Sequence, residues 1–210
     1  MLRNRRILSI IGLISCGMAT GLSFNKLSNF FNLNSSPPPT QIAAQGTIEV
    51  AFSPNNGATQ TVVKAITEAK KTILVAAYSF TSSDIAKALL SAKSRGVNVQ
   101  IILDKSQVGR NYSAATFFAN NAFALKIDTI HKIFHDKVMI IDAATVVTGS
   151  FNFTRAAETK NAENVLVLRN NPALAKLYTV DWLYNWNQAM LYSDYVAKYH
   201  ARSDNSNAAE

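Results

Sequence analysis

Apolar and polar positions along the chain switch repeatedly between alternation and helical spacing. Thr47 to Phe52 alternates β-formers with polar residues and predicts a strand, stopped by Ser53-Pro54-Asn55-Asn56-Gly57. From Thr59 to Lys71, Val62, Val63, Ile66 and Ala69 recur at helical spacing beside Lys64, Glu68 and Lys70. Ile73 to Tyr78 is a continuous apolar run, the pattern of a strand buried on both faces. Ser82 or Ser83 caps a second helix with Ile85, Leu89 and Ala92 on one stripe, and Gly96 ends it before a strand over Val97 to Leu103. A polar loop from Asp104 to Tyr112, a short helix through Ala114 to Asn120 and a short strand over Leu125 to Ile127 follow. Glu163 to Leu168 predicts a further strand, and Pro172 opens a long closing helix through Trp182 and Trp186, both assigned to its buried face. Strand, helix, strand order of this kind predicts one α/β domain: a mixed, mainly parallel central sheet flanked by helices.

The chain is organised around His135-Asp136-Lys137-Val138-Met139-Ile140-Ile141-Asp142 and the Gly149-Ser150-Phe151-Asn152 that follows it. Lys137 to Asp142 and Thr145 to Thr148 predict two adjoining strands joined by a short turn. Side chains alternate along a strand, so His135 and Lys137 share one face, as do Ser150 and Asn152. An imidazole, an ammonium, a hydroxyl and a carboxamide at the mouth of an apolar hairpin suit a bound phosphate. Lysine supplies a point charge, Asn and Ser supply hydrogen bonds, and His attacks phosphorus or moves protons. Asp142, on the opposite strand face, reads as a turn or backbone-bonding residue.

Taken whole, HxK, four residues, Asp, six residues and GSxN resembles the catalytic signature of the phospholipase D superfamily, carried here by His135, Lys137, Asp142, Gly149, Ser150 and Asn152. Ala77-Tyr78-Ser79-Phe80-Thr81 and the run from Thr148 to Asn164 are similar to the small bacterial endonuclease branch, and the likeness spans about Thr47 to Trp186. It implies that His135 forms a phosphohistidine while Lys137 and Asn152 hold the nonbridging oxygens. Ser150 and Gly149 would support the pocket, and Glu163 would accept the second ring proton of the histidine, fixing its tautomer. A divalent ion is not required by this inventory, and neither a cofactor nor a metal is expected.

Charge and the amino terminus add a location and a partner class. The net charge is +8, and setting aside Arg3, Arg5 and Arg6 leaves +5 for the rest, which favours polyanions. Those arginines precede an uncharged run from Ile7 to Phe24, so residues 1–24 predict a signal peptide or membrane anchor and an exported protein, periplasmic or extracellular. Leu13-Ile14-Ser15-Cys16 resembles a lipoprotein cleavage box, and Cys16 is the sole cysteine, which excludes an intrachain disulfide or a cysteine zinc site. Residues 25–45, rich in Asn and Ser with Pro37-Pro38-Pro39, predict a flexible linker; 46–200 form the catalytic domain and 201–210 a disordered tail.

Covalent phosphodiester hydrolysis needs a second histidine to protonate the leaving group, and the superfamily's larger members carry a second motif. This chain has one, and His131 and His200 lack its context. The expectation is a homodimer with the active site on its twofold axis. Nucleic acid is the leading substrate, with Lys105, Arg110, Arg155 and Lys160 as candidate phosphate contacts. Phospholipid, including phosphatidylcholine or cardiolipin, is the alternative. An intact His, Lys, Asn and Glu set argues against a noncatalytic binding protein.

Overall fold

A computed structural model describes residues 35–109 and 113–207, with side chains described as far as Tyr199. The leader, Cys16 and Arg110 fall outside the described residues, so their readings stay as expectations. Within them an eight-stranded sheet has the order β1-β7-β6-β5-β2-β3-β4-β8. The strands are β1 (Thr47–Ser53), β2 (Thr72–Ala77), β3 (Asn98–Asp104), β4 (Ala124–Asp128), β5 (Lys137–Ile141), β6 (Thr145–Gly149), β7 (Glu163–Arg169) and β8 (Met190–Leu191). The helices are α1 (Ala58–Glu68), α2 (Ser83–Ser94), α3 (Ala114–Asn120), α4 (Arg155–Thr159), α5 (Pro172–Gln188) and α6 (Tyr192–Asn207).

The expected α/β domain with a mixed sheet flanked by helices is what the chain forms, but the sheet is not mainly parallel. Only β2 with β3 and β3 with β4 run parallel; the other pairings among the described residues are antiparallel. Parallel neighbours need a crossover, and helices α2 and α3 provide two. After β4 the chain returns through a loop instead, so β5 enters beside β2 running the other way. A tight turn then reverses it into β6, with Asp142 and Ala143 both at left-handed φ, 52° and 54°. Such a turn matches strand twist and keeps the hairpin antiparallel.

Apolar residues fill both faces of the sheet. On one side Val62, Ile66, Ile85, Leu89 and Phe118 from α1, α2 and α3 pack on Ile73, Val75, Met139 and Val167. On the other, Trp182, Leu183 and Ala175 of α5 cover Ala76, Ile102, Val138 and Ile140. The indole Nε1 of Trp182 donates to the carbonyl of Val75 at 2.9 Å, and Trp186 stacks on its ring at 4.8 Å, so this pair is core, as its helical spacing suggests. Local signals act where expected: Ser82 caps α2, Gly96 ends it at φ 88°, and Asn171 caps α5 with Pro172 in its first turn. Two features differ at the carboxyl end. Ala189 adopts an extended conformation that breaks the closing helix, and α6 then runs to Asn207, into the stretch expected to be a disordered tail.

Candidate active site

The ends of four strands converge on the motif. β2 and β6 finish here, β5 and β7 begin here, and Ala77 faces Lys137 in the register. Strand direction therefore gathers residues from four parts of the sequence at one end of the sheet.

Lys137 is buried and His135 exposed. The Lys137 ammonium donates to the His135 carbonyl at 2.7 Å and lies 5.5 Å from the centre of the Tyr78 ring. That ring sits 4.7 Å from the imidazole of His135, tilted by 52°, and the Tyr78 amide donates to the Asp136 carbonyl at 2.8 Å. Tyr78 thus packs against the His135 ring and the Lys137 ammonium together. Sequence reasoning read it only as the end of a buried strand; the available signal was an aromatic residue just beyond an apolar run, in a stretch that already carried the family likeness. Burial pushes the Lys137 ammonium below the ordinary lysine range, against the attraction of Asp136 and Glu163. Burial also raises the Asp136 carboxyl, with Asp181 adding to the shift and Lys137, His131 and His135 opposing it.

The loop carrying His135 is held by two carboxylates that sequence reasoning missed. Asp104 and Asp128, opposite each other at the ends of β3 and β4, are both buried. Asp104 accepts from the amides of Phe134 and Ser106, each at 2.8 Å. Asp128 accepts from the His131 amide at 3.0 Å and lies 3.0 Å from its ring Nδ1. His131 is therefore a loop anchor, in keeping with its lack of motif context. Lys105, expected among the phosphate contacts, instead donates to the His131 carbonyl at 2.7 Å. Arg155 and Lys160 are exposed at the two ends of α4.

Beyond β6, Gly149 takes φ 148°, and a Cβ there would lie 2.4 Å from the carbonyl oxygen of Asn164. Glycine lets that carbonyl accept from the amides of both Ser150 and Phe151 at 3.1 Å. The Ser150 hydroxyl accepts from the Asn164 amide at 3.1 Å and its side-chain nitrogen at 3.3 Å, clamping the motif loop to β7. Asn152 follows with its side-chain oxygen buried and without a hydrogen-bond partner among the described residues. An orphaned acceptor in a polar site is a demand for a donor.

Asp142 stands apart from this cluster, and Glu163, though at this end of the sheet, is not paired with His135. Asp142, at the far end of β5, accepts from the amides of Lys70, Lys71 and Thr72 at 2.8, 2.7 and 2.9 Å, which is the backbone-bonding role read from its strand face. Glu163 accepts from the Asn161 side chain at 3.0 Å rather than from His135, whose ring has no hydrogen-bond partner among the described residues. β6 separates β5 from β7, so their backbones lie about 10 Å apart, and the expected pairing needs both side chains to lean inward. Among the described residues no three His, Cys, Asp or Glu side chains are grouped to hold a metal.

Comparison with known proteins places this geometry. The family model described as "Cardiolipin synthase, PLD-like domain" matches residues 62–186. A phospholipase D of Rickettsia bellii is 34% identical over 193 residues, covering 86% of this chain and 95% of the relative. This chain belongs to the phospholipase D superfamily. The crystal structure of a phospholipase D family member, Nuc from Salmonella typhimurium, superposes with a TM-score of 0.66 at 45% identity, over 70% of this chain and 97% of that one. A mitochondrial cardiolipin hydrolase of Chlamydomonas reinhardtii is 35% identical over 107 residues, about half of each chain. The phospholipase D fold and its phosphodiesterase chemistry are thereby established for this chain.

Proposed function

We propose that this phosphodiesterase is an exported, metal-independent endonuclease that cleaves DNA, and RNA with it, through a phosphohistidine at His135. The observation that carries the reading is the state of that histidine: exposed, with no hydrogen bond to its ring among the described residues, and next to the buried Lys137, whose ammonium donates to its carbonyl. A ring nitrogen of His135 attacks phosphorus, the P–O bond to the leaving alkoxide breaks, and a second histidine gives that oxygen a proton. Water, deprotonated by the second histidine, then displaces His135. Lys137 neutralises charge on the nonbridging oxygens. No described residue of the same chain supplies the second histidine, since His131 is tied to Asp128. A second copy across a twofold axis supplies its own His135, so the site is complete only in a homodimer.

The basic body and the likeness to Nuc favour nucleic acid. The phospholipase D relative favours the second reading, phospholipid hydrolysis by the same steps. Plasmid nicking by the purified protein in EDTA, beside His135→Ala, tests the first. Nicking abolished by the substitution supports it; no nicking, with turnover of phosphatidylcholine or cardiolipin vesicles, moves the assignment to lipid. Loss of all activity in EDTA, restored by a divalent ion, refutes metal independence. Mixing with excess-free, equimolar His135→Ala protein tests the dimer, because a shared site leaves about one quarter of the activity and independent sites leave half. Export rests on the leader, and activity confined to the cytosolic fraction of the source cells refutes it.

A further inference from the structure

Next to the catalytic cluster, and sharing Tyr78 with it, opens a cleft of about 540 Å³. Ordinary ligand sites span roughly 300 to 1,000 Å³, so the cleft has room for one substrate group of nucleotide size. Its floor is the extension of β2 through Ser79 and Thr81, one wall is the first turns of α2 with Lys87, and the other is Gln107 and Phe117. Gln107 is committed to building the floor: its side-chain oxygen accepts from the Phe80 amide at 3.1 Å. Thr81 and Ser82 donate their amides to the Phe153 carbonyl, which ties the same floor to the motif loop. The cleft and the catalytic residues therefore form one rigid unit.

Three groups in the cleft are uncommitted among the described residues. The hydroxyls of Ser79 and Thr81 make no hydrogen bond, and Lys87 is exposed with no carboxylate within ion-pair distance. Lys105, Lys126 and Lys137 differ in that each donates to a backbone carbonyl. Phe117 is half-buried, its edge against Phe118 at 5.5 Å. An aromatic surface, two free hydroxyls and a free ammonium match the base, the sugar-phosphate oxygens and the charge of a nucleotide. Seven of the thirteen lining residues carry hydroxyls, for which an acyl chain has no use and a sugar-phosphate does.

We infer that this cleft binds the nucleotide adjoining the scissile phosphate, with Phe117 against its base and Lys87 on its phosphate. The inference rests on the nuclease reading and makes Lys87 and Phe117 determinants of substrate choice, outside the chemical step. The test compares Lys87→Ala and Phe117→Ala with wild-type protein on a single-stranded oligonucleotide and on bis(4-nitrophenyl) phosphate, too small to fill the cleft. On the oligonucleotide, Phe117→Ala lowers kcat/KM about tenfold, mainly through KM. Lys87→Ala also raises KM and reduces the slope of log KM against log salt by about 1. Both variants turn over the small diester as wild type does. Equal losses on both substrates, or no loss on the oligonucleotide by variants of a wild type that cleaves it, overturn the cleft assignment alone. A wild type that hydrolyses the small diester but no nucleic acid overturns the nuclease reading and the cleft together, and selective loss on cardiolipin vesicles assigns the cleft to lipid.

Discussion

Asp142 is the aspartate of the catalytic signature, yet its carboxylate lies at the far end of β5 from His135 and accepts three backbone amides at the start of β2. Replacing it should therefore unfold the protein without slowing the chemistry. A hydrogen bond to a charged group contributes roughly 1.5 to 3 kcal/mol, but these amides are exposed or half-buried and regain water, so about 1 kcal/mol each is appropriate. Asp142 also sits at φ 52°, where alanine costs about 1 kcal/mol more. Asp142→Ala is thus expected to lose about 4 kcal/mol. Asn tolerates the same φ and can keep the oxygen that serves Lys71 and Thr72, losing only the bond to Lys70, so Asp142→Asn loses about 1 kcal/mol. Urea denaturation with linear extrapolation measures both. Turnover of bis(4-nitrophenyl) phosphate, taken at a temperature where each variant is folded, should match wild type. A folded Asp142→Asn protein with kcat reduced a hundredfold would refute the structural role.

Three other substitutions separate chemistry from folding. His135→Ala should abolish turnover, by a factor on the order of 10⁴ or more, while leaving the urea midpoint unchanged, because the ring is exposed and makes no hydrogen bond among the described residues. Gly149→Ala drives a Cβ into the Asn164 carbonyl and should cost about 2 to 4 kcal/mol, with activity falling as the Ser150 clamp shifts; an unchanged melting temperature would contradict the geometry. Asp136, whose carboxyl burial holds above the usual range, favours folding when protonated. That contribution is complete below its unfolded value near 3.8 and lost as pH rises through the folded value. Asp136→Asn should therefore raise the melting temperature at pH 7 relative to wild type, with the advantage shrinking toward acid pH. A larger advantage at pH 4 than at pH 7 would reverse the sign and sink the argument.

Much of the fold was legible because its signals are local. Continuous apolar runs marked β2 and β3 within a residue of their bounds, and Ser82, Gly96 and Pro172 punctuated helices as their backbone chemistry requires. Strand direction was not legible, because periodicity carries no sign: the run from Lys137 to Ile141 reads alike whether it enters the sheet parallel or antiparallel. The motif residues were visible as a string with alternating faces, and strand order brings the start of β5 and the end of β6 to one end of the sheet. Tyr78 and Asp104 were invisible as site builders because each acts on a partner distant in sequence. Asp104 and Phe134 are 30 positions apart, and nothing in the intervening sequence announces the bond between them. The bond from Lys105 to the His131 carbonyl was hidden for the same reason, that acceptor being a feature of tertiary structure alone.

The site runs against stability in a consistent way. Burial disfavours the charged form of Lys137, the Asn152 oxygen is buried without a donor among the described residues, and Asp136 is a desolvated carboxyl next to His135. Each costs folding free energy, and a bound diester answers the first of them, because its nonbridging oxygens pair with the Lys137 ammonium. The compensation is found in parts that never touch substrate. Asp104 and Asp128 hold the loop, Asp142 pins the hairpin, and the Trp182 indole bonds the centre of β2. Rigidity supplied from those positions keeps the unsatisfied groups aimed at one point instead of letting them relax onto one another. Weakening an anchor such as Asp104 should consequently lower kcat by letting His135 move, even though the anchor is separated from phosphorus by the whole loop it restrains.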